Sequence, residues 1–188
     1  MSAGSDKSDS GFTDLVFHKH ISKNSDEVEA IGDLDELTCY LGLVKCKMRL
    51  RRDKAILERI QHAVLEIATE IAIGEDKKRK MGLLLKKQDV DWIKSVIGQL
   101  ERTVKQKSCF YMPGKKELSA YLDIARTVAR RAERSAVGVF MKHKIKNHNI
   151  LSYLDCVSDI LFIMARKSEQ MRASKTKSKT VSKLKRQY

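Results

Sequence analysis

The chain of 188 residues is 42% hydrophobic and 33% charged, with one proline and nine glycines. That length suits one domain, and the composition excludes a collagen-like chain or a Pro-rich linker protein. Its 38 basic residues outnumber 24 acidic ones, for a net charge of +14. No apolar run reaches the ~18–20 residues of a membrane span, so a soluble protein is expected.

Residues 1–11 carry Ser, Asp and Lys without an apolar stretch, so no signal or transit peptide is expected there. His18 and His20 alternate as strand-borne metal ligands do, but no third ligand accompanies them, and surface or loop histidines fit the pattern better. From Ser25 the periodicity turns helical. Asn24 or Ser25 caps a first helix whose first turn holds Asp26, Glu27 and Glu29, favourable against its positive end. Its apolar face is Val28, Ile31, Leu34, Leu37, Leu41 and Val44. A second helix is expected after Asp53, burying Ile56, Ile60, Ala63, Val64, Ile67 and Ile71 and ending at Gly74. The Lys/Arg-rich stretch to Lys80 reads as an exposed loop. A third helix, capped by Asp89, carries Trp92, Ile93, Val96, Leu100 and Val104. After Cys109-Phe110-Tyr111-Met112, Pro113-Gly114 marks a turn. A fourth helix is expected over about 117–144 and a fifth over about 149–173, with Leu151, Leu154, Val157, Leu161 and Met164 inward.

Five long helices on short connections predict an all-α antiparallel bundle over 25–170, preceded by a segment over 1–24. No repeat of a solenoid is present. Over 171–188 a Ser/Thr/Lys tract holds seven basic residues and no acidic one, which predicts a disordered basic tail. Without an RNP-type aromatic motif or zinc-finger spacing, nucleic acid is not the expected partner of that charge. The four cysteines form no CxxC pair and read as reduced core thiols.

The chemistry concentrates on the last two helices. At about 100° per residue, Arg130 and Glu133 fall within about 40° of Arg126, along one border of an apolar arc, whereas Arg131 falls about 140° away. Paired guanidiniums one turn apart suit a phosphate or a carboxylate. An Arg/Glu network stapling neighbouring helices has the same pattern. On the fifth helix, Asp155 and Asp159 share a face, with Tyr153 and Ser158 at its margins. Carboxylates on so apolar a helix call for partners, and buried pairing with the arginine stripe is expected rather than a two-metal site. Asp33, Asp35 and Glu36 on the first helix invite similar salt bridging.

Taken together, Gly32-Asp-Leu-Asp-Glu-Leu37, Phe110-Tyr-Met-Pro-Gly114, Ala125-Arg-Thr-Val-Ala-Arg-Arg-Ala-Glu-Arg134 and Tyr153-Leu-Asp-Cys-Val-Ser-Asp-Ile-Leu-Phe-Ile-Met-Ala-Arg166 resemble the PduO-type ATP:cob(I)alamin adenosyltransferases, in order and separation. The resemblance implies a ferritin-like five-helix bundle assembling as a homotrimer, with active sites at subunit interfaces. It implies transfer of the 5′-deoxyadenosyl group from ATP to cob(I)alamin, with Mg²⁺ accompanying ATP and triphosphate released. Phe110 resembles the aromatic that holds the corrinoid without its lower ligand. Arg126 resembles the arginine that pairs across the interface, with Asp35 as its counterpart. Arg130 and Glu133 resemble the nucleotide-binding pair, followed by Arg134, and Asp159 resembles the acid that supports the site. Lys23 falls where the family has a basic residue near the phosphates.

The family's nucleotide loop reads roughly Thr-Gly-Asp-Lys-Gly-(Thr/Phe)-(Thr/Ser). Here it survives within 1–24 as Asp9, Gly11 and Thr13, without the first glycine and the lysine. Asp155 stands where the family has an asparagine near ATP, Cys156 where it has an arginine, and Lys115 where it has a second glycine. A family member that binds a corrinoid or a protein partner without efficient ATP chemistry is therefore the alternative reading. A cobalamin-dependent acceptor enzyme is an implied partner, and the implied compartment is the cytoplasm, or the mitochondrion in a eukaryote.

Overall fold

A computed structural model of the chain describes residues 11–16, 18–74, 85–105, 110–143 and 145–171. The expected loop to Lys80, Asp9, Cys109 and the tail beyond 171 lie outside the described residues. Two short strands, β1 (Phe12–Thr13) and β2 (Ile21–Ser22), precede five helices: α1 (Asp26–Lys47), α2 (Arg51–Ile73), α3 (Lys87–Glu101), α4 (Glu117–His143) and α5 (Asn149–Gln170).

The helices begin and end where local chemistry dictates. Ser25 is the N-cap of α1, its hydroxyl accepting from the Val28 amide at 3.4 Å. Leu34, Leu37, Leu41 and Val44 are buried along its inner stripe. The second helix starts two residues before Asp53, which lies inside its first turn, buried, its carboxylate accepting from Lys167 of α5 at 2.8 and 2.9 Å. Asp53 is thus a buried ion-pair partner, and not the residue that opens the helix. Gly74 ends α2 with φ 68°, and a Cβ there would meet His18 Nε2 at 3.3 Å. In α3, Asp89 sits at the third position and reaches back to accept the Lys86 amide at 3.1 Å, so it secures the helix from within its first turn. The last helix ends at Gln170.

α1 packs on α2 and α4, and α5 packs on α4 and α3. Lys142 meets Asp26 and Lys47 meets Glu117, so α1 and α4 run antiparallel. Lys167 meets Asp53 near one end of α5, and at the other end Asn147 meets Glu70, so α2 and α5 also run antiparallel. The buried Glu70 carboxylate accepts from Asn147 Nδ2 at 2.9 and 3.1 Å and from the Leu85 amide, while Asn147 also donates to the Leu85 carbonyl. This knot fastens the end of α2 and the start of α3 to the α4–α5 connection, giving buried polar groups the partners they need.

Candidate functional site

Ala125, Ala129, Ala132 and Ala136 form a fully buried small-residue arc on α4, which lets neighbouring helices approach closely. At the border of that arc, Arg126 and Glu133 are half-buried while Arg130 and Arg134 are exposed. Across from them α5 turns Tyr153, Val157 and Leu161 into the core and leaves Asp155 and Asp159 on its outer face. Tyr153 and Ser158 are therefore core residues and not the margins of an acidic face. The expected buried pairing of Asp155 and Asp159 with the arginine stripe is also corrected: both aspartates are exposed, and among the described residues no salt bridge closes on either. The helical period decides this, because positions 155 and 159 fall away from the arc that buries 153, 157 and 161.

The groups are nevertheless coupled. Burial, and then the Asp155 charge, pushes the Glu133 carboxyl above its ordinary range, against the pull of Arg130 and Arg134. The Asp159 carboxyl, exposed as a residue but partly desolvated by its neighbours, is pushed up first by that desolvation and then by Asp155, against Arg130, with Glu101 at the end of α3 adding to the rise. Arg130, Glu133, Arg134, Asp155 and Asp159 thus form one electrostatic cluster between α4 and α5.

Arg131 points away from this cluster, as its helical angle predicts, and binds Asp33 and Glu36 of α1. Ser135 also donates to Asp33. Asp35, between them, faces outward and exposed. Within the chain Arg126 does not meet Asp35. Its Nε lies 3.5 Å from Asp123 Oδ1, and that buried nitrogen makes no hydrogen bond among the described residues.

Phe110 is fully exposed, as is most of Met112. Tyr111 between them packs edge-on against Phe162 of α5, ring centroids 5.7 Å apart, and lies 4.9 Å from the Arg166 guanidinium. Phe162 follows Asp159 by one helical turn, so the segment bearing Phe110 is anchored beside the charged cluster.

At the N-terminal side, Phe12 pairs with Ser22 and Thr13 with Ile21 in the small antiparallel sheet. Gly11, at φ 75°, accepts the Lys23 amide at 2.9 Å through its carbonyl. Gly11, Thr13 and Lys23 are thereby gathered into one hairpin just ahead of α1. Asp9 lies outside the described residues. His18 lies 3.2 Å from the Ile73 carbonyl, and His20 stacks on Phe12, so the two histidines take separate partners. Among the described residues no three His, Cys, Asp or Glu side chains could hold a metal ion together. Cys39 and Cys46 are exposed, a correction to their reading as core thiols, while Cys156 is buried and burial pushes its thiol pKa up. A cleft of about 310 Å³ between Met48, Leu50, Leu118, Leu122 and Met164 contains none of the candidate residues.

Sequence reasoning missed the buried ion pair of Arg166 and Asp123. Its signal was present: a lone arginine ends the apolar run Phe162-Ile-Met-Ala165, and such a charge needs a buried partner.

The chain matches a family model described as cobalamin adenosyltransferase over residues 4–168. It is 34% identical over 163 residues to a cobalamin adenosyltransferase of Cupriavidus metallidurans, covering 84% of this chain and 83% of that protein. It is 29% identical over 158 residues to the corrinoid adenosyltransferase PduO of Salmonella typhimurium, covering 84% of this chain. The chain spans about half of that relative, 47% of its length. A solved structure of a phenylalanine-to-alanine variant PduO-type ATP:corrinoid adenosyltransferase from Lactobacillus reuteri, complexed with cobalamin and ATP, superposes with a TM-score of 0.81. That match has 27% identity and covers 88% of this chain and 92% of the other. No described helix of this chain is long and apolar enough to cross a membrane.

Proposed function

The chain belongs to the cobalamin adenosyltransferase family, and we propose that it transfers the 5′-deoxyadenosyl group from ATP to the cobalt of cob(I)alamin. In that reaction the cobalt(I) electron pair attacks C5′ of ATP. A cobalt–carbon bond forms, the C5′–oxygen bond breaks, and its electron pair leaves with triphosphate. The protein's task is to align the two substrates and to stabilise charge growing on the phosphates. The observation that carries this reading is the coupled Arg130–Glu133–Arg134–Asp159 cluster, whose Asp159 lies one helical turn from Phe162, the ring on which Tyr111 packs next to Phe110. Arg130 and Arg134 supply fixed positive charge for the leaving triphosphate. Glu133 and Asp159 orient those guanidiniums and accept from the nucleotide. Phe110 offers the corrinoid an apolar ring in place of a lower ligand.

The hairpin of Gly11, Thr13 and Lys23, with Asp9 before it, supplies backbone amides and one ammonium group to the phosphates. In this reading Mg²⁺ enters as the counterion of ATP, carried mainly by phosphate oxygens. The working unit in this reading is a homotrimer. Arg126 and Asp35, which do not meet inside one chain, pair between neighbours. The product then passes to a cobalamin-dependent enzyme.

Anaerobic mixing of cob(I)alamin, ATP and Mg²⁺ with the protein, followed by absorbance, tests the proposal. Conversion to adenosylcobalamin with stoichiometric triphosphate is expected, and no conversion above the protein-free control overturns it. One observation favours a second reading, binding of corrinoid without efficient ATP chemistry: Asp155 places a further negative charge inside the cluster meant for triphosphate. Corrinoid binding in the absence of turnover would establish that reading.

A further inference from the structure

The buried network behind Phe110 carries an inference that rests on the proposed activity. Arg166 is 1% exposed, yet it sits in an apolar stretch of α5. Its charge is compensated on one side by Asp123 and by Glu169 at 3.4 Å. On the other side its guanidinium lies 4.9 Å from the Tyr111 ring and 5.2 Å from the Phe162 ring. Lys115 stands 5.6 Å from the same Tyr111 ring, and its ammonium group lies 3.7 Å from Glu169. Tyr111 thus has two cations near its ring that share one carboxylate, and it is edge-packed on Phe162 as well. The neighbours of Tyr111 on either side, Phe110 and Met112, have no such anchorage and stand exposed.

We propose that Tyr111 and Arg166 are positioning residues, a cation–π clamp that fixes the backbone of the 110–115 segment and so aims Phe110 at the corrinoid. The physics favours the clamp. A guanidinium kept out of water interacts with an aromatic face far more strongly than an exposed one does, and Arg166 has lost its water. Its carboxylate partners pin it in turn: the Asp123 carboxylate is shared between Arg166 and Arg126. One buried aspartate therefore sets both the base of the Phe110 segment and the arginine assigned to the subunit contact. Misplacing a binding group by even ~1 Å carries a large cost, and because the residue positioned here is Phe110, assigned to the corrinoid, the expected effect falls on the corrinoid rather than on ATP.

Tyr111→Leu and Tyr111→Phe test this, because Tyr111 is part-exposed and either variant retains the bundle core. Amide hydrogen exchange over residues 110–115 is expected to quicken in Tyr111→Leu and to return to the wild-type rate in Tyr111→Phe, which keeps the ring. In steady-state adenosylation, Tyr111→Leu is expected to raise the KM for corrinoid at least about fivefold while the KM for ATP stays within about twofold, with Tyr111→Phe restoring the corrinoid value. Unchanged exchange in Tyr111→Leu overturns the clamp. Quickened exchange with an unchanged corrinoid KM overturns its role in aiming Phe110. If the wild-type protein itself makes no adenosylcobalamin, the proposed function falls, and exchange alone then decides whether the clamp exists.

Discussion

Arg131 on α4 donates through Nε to Asp33 on α1 at 2.9 Å, and the same guanidinium reaches Glu36 one turn along that helix. Adjacent arginines on one helix are thus divided between two tasks: Arg130 faces the charged cluster with Glu133, and Arg131 fastens α4 to α1. The separation follows from the roughly 100° that each residue advances around a helix.

Arg131→Ala is therefore expected to act on stability. Its partner Asp33 is well covered, and losing a charge-assisted pair of this kind costs about 1 kcal/mol, or about 2–4 °C in Tm for a chain of this size. Thermal unfolding and kinetics read the two effects separately. A fall in kcat beyond tenfold with unchanged Tm would put Arg131 in the active site.

Arg130→Ala and Glu133→Lys are expected to lower kcat/KM by about 10²–10³-fold, the scale of losing one fixed stabiliser of developing charge. Both side chains lie at the rim of the core, so far-UV circular dichroism stays at the wild-type level. Near-normal turnover in both variants would remove them from the site.

Asp155→Asn is expected to bind MgATP about fivefold more tightly, equivalent to about 1 kcal/mol, since an amide donates to phosphate oxygens that a carboxylate repels. The same change removes a negative charge that raises the Glu133 and Asp159 pKa values. With that charge gone, ionisation of both carboxyls becomes easier and their pKa values fall, so the acid limb of the activity profile moves to lower pH. Calorimetry and a pH–rate series check the two halves. Weaker binding in the variant would make Asp155 an adapted ligand, held to the phosphates through Mg²⁺.

Light scattering is expected to give three times the mass of the chain, and Arg126→Ala to shift the population toward smaller species. Among the described residues its guanidinium has one partner carboxylate, Asp123, which already serves the buried Arg166. A wild-type protein that stays monomeric at all concentrations would end the assignment of Arg126 and Asp35 to a subunit contact.

Local pattern along the chain was enough to read the helices and their inner faces. Leu34, Leu37, Leu41 and Val44 on α1, and Val157, Leu161 and Met164 on α5, are buried where a period of 3.6 puts them, and Ser25 caps as a serine before acidic residues does. Periodicity is local, a matter of which residues share one face, and it needs no knowledge of what lies opposite. It also set Arg131 apart from Arg130 before any partner was known.

Tertiary structure alone decided which charges meet. Asp53 as the partner of Lys167, Glu70 as the acceptor of Asn147, and Asp123 as the hub for Arg166 and Arg126 join residues far apart in the chain. A helical wheel says that a charge lies at a border but not which helix packs there. The buried pairing expected of Asp155 and Asp159 failed differently: it assumed that carboxylates on an apolar helix need partners, whereas the helical period turns both outward into an exposed, electrostatically coupled cluster. The two-residue strands around Gly11 and Lys23 were also illegible, being too short for any period and held by pairing between segments. Pattern along the chain fixes faces; only packing fixes partners, because the energy of a buried charge depends on what stands within a few ångströms of it.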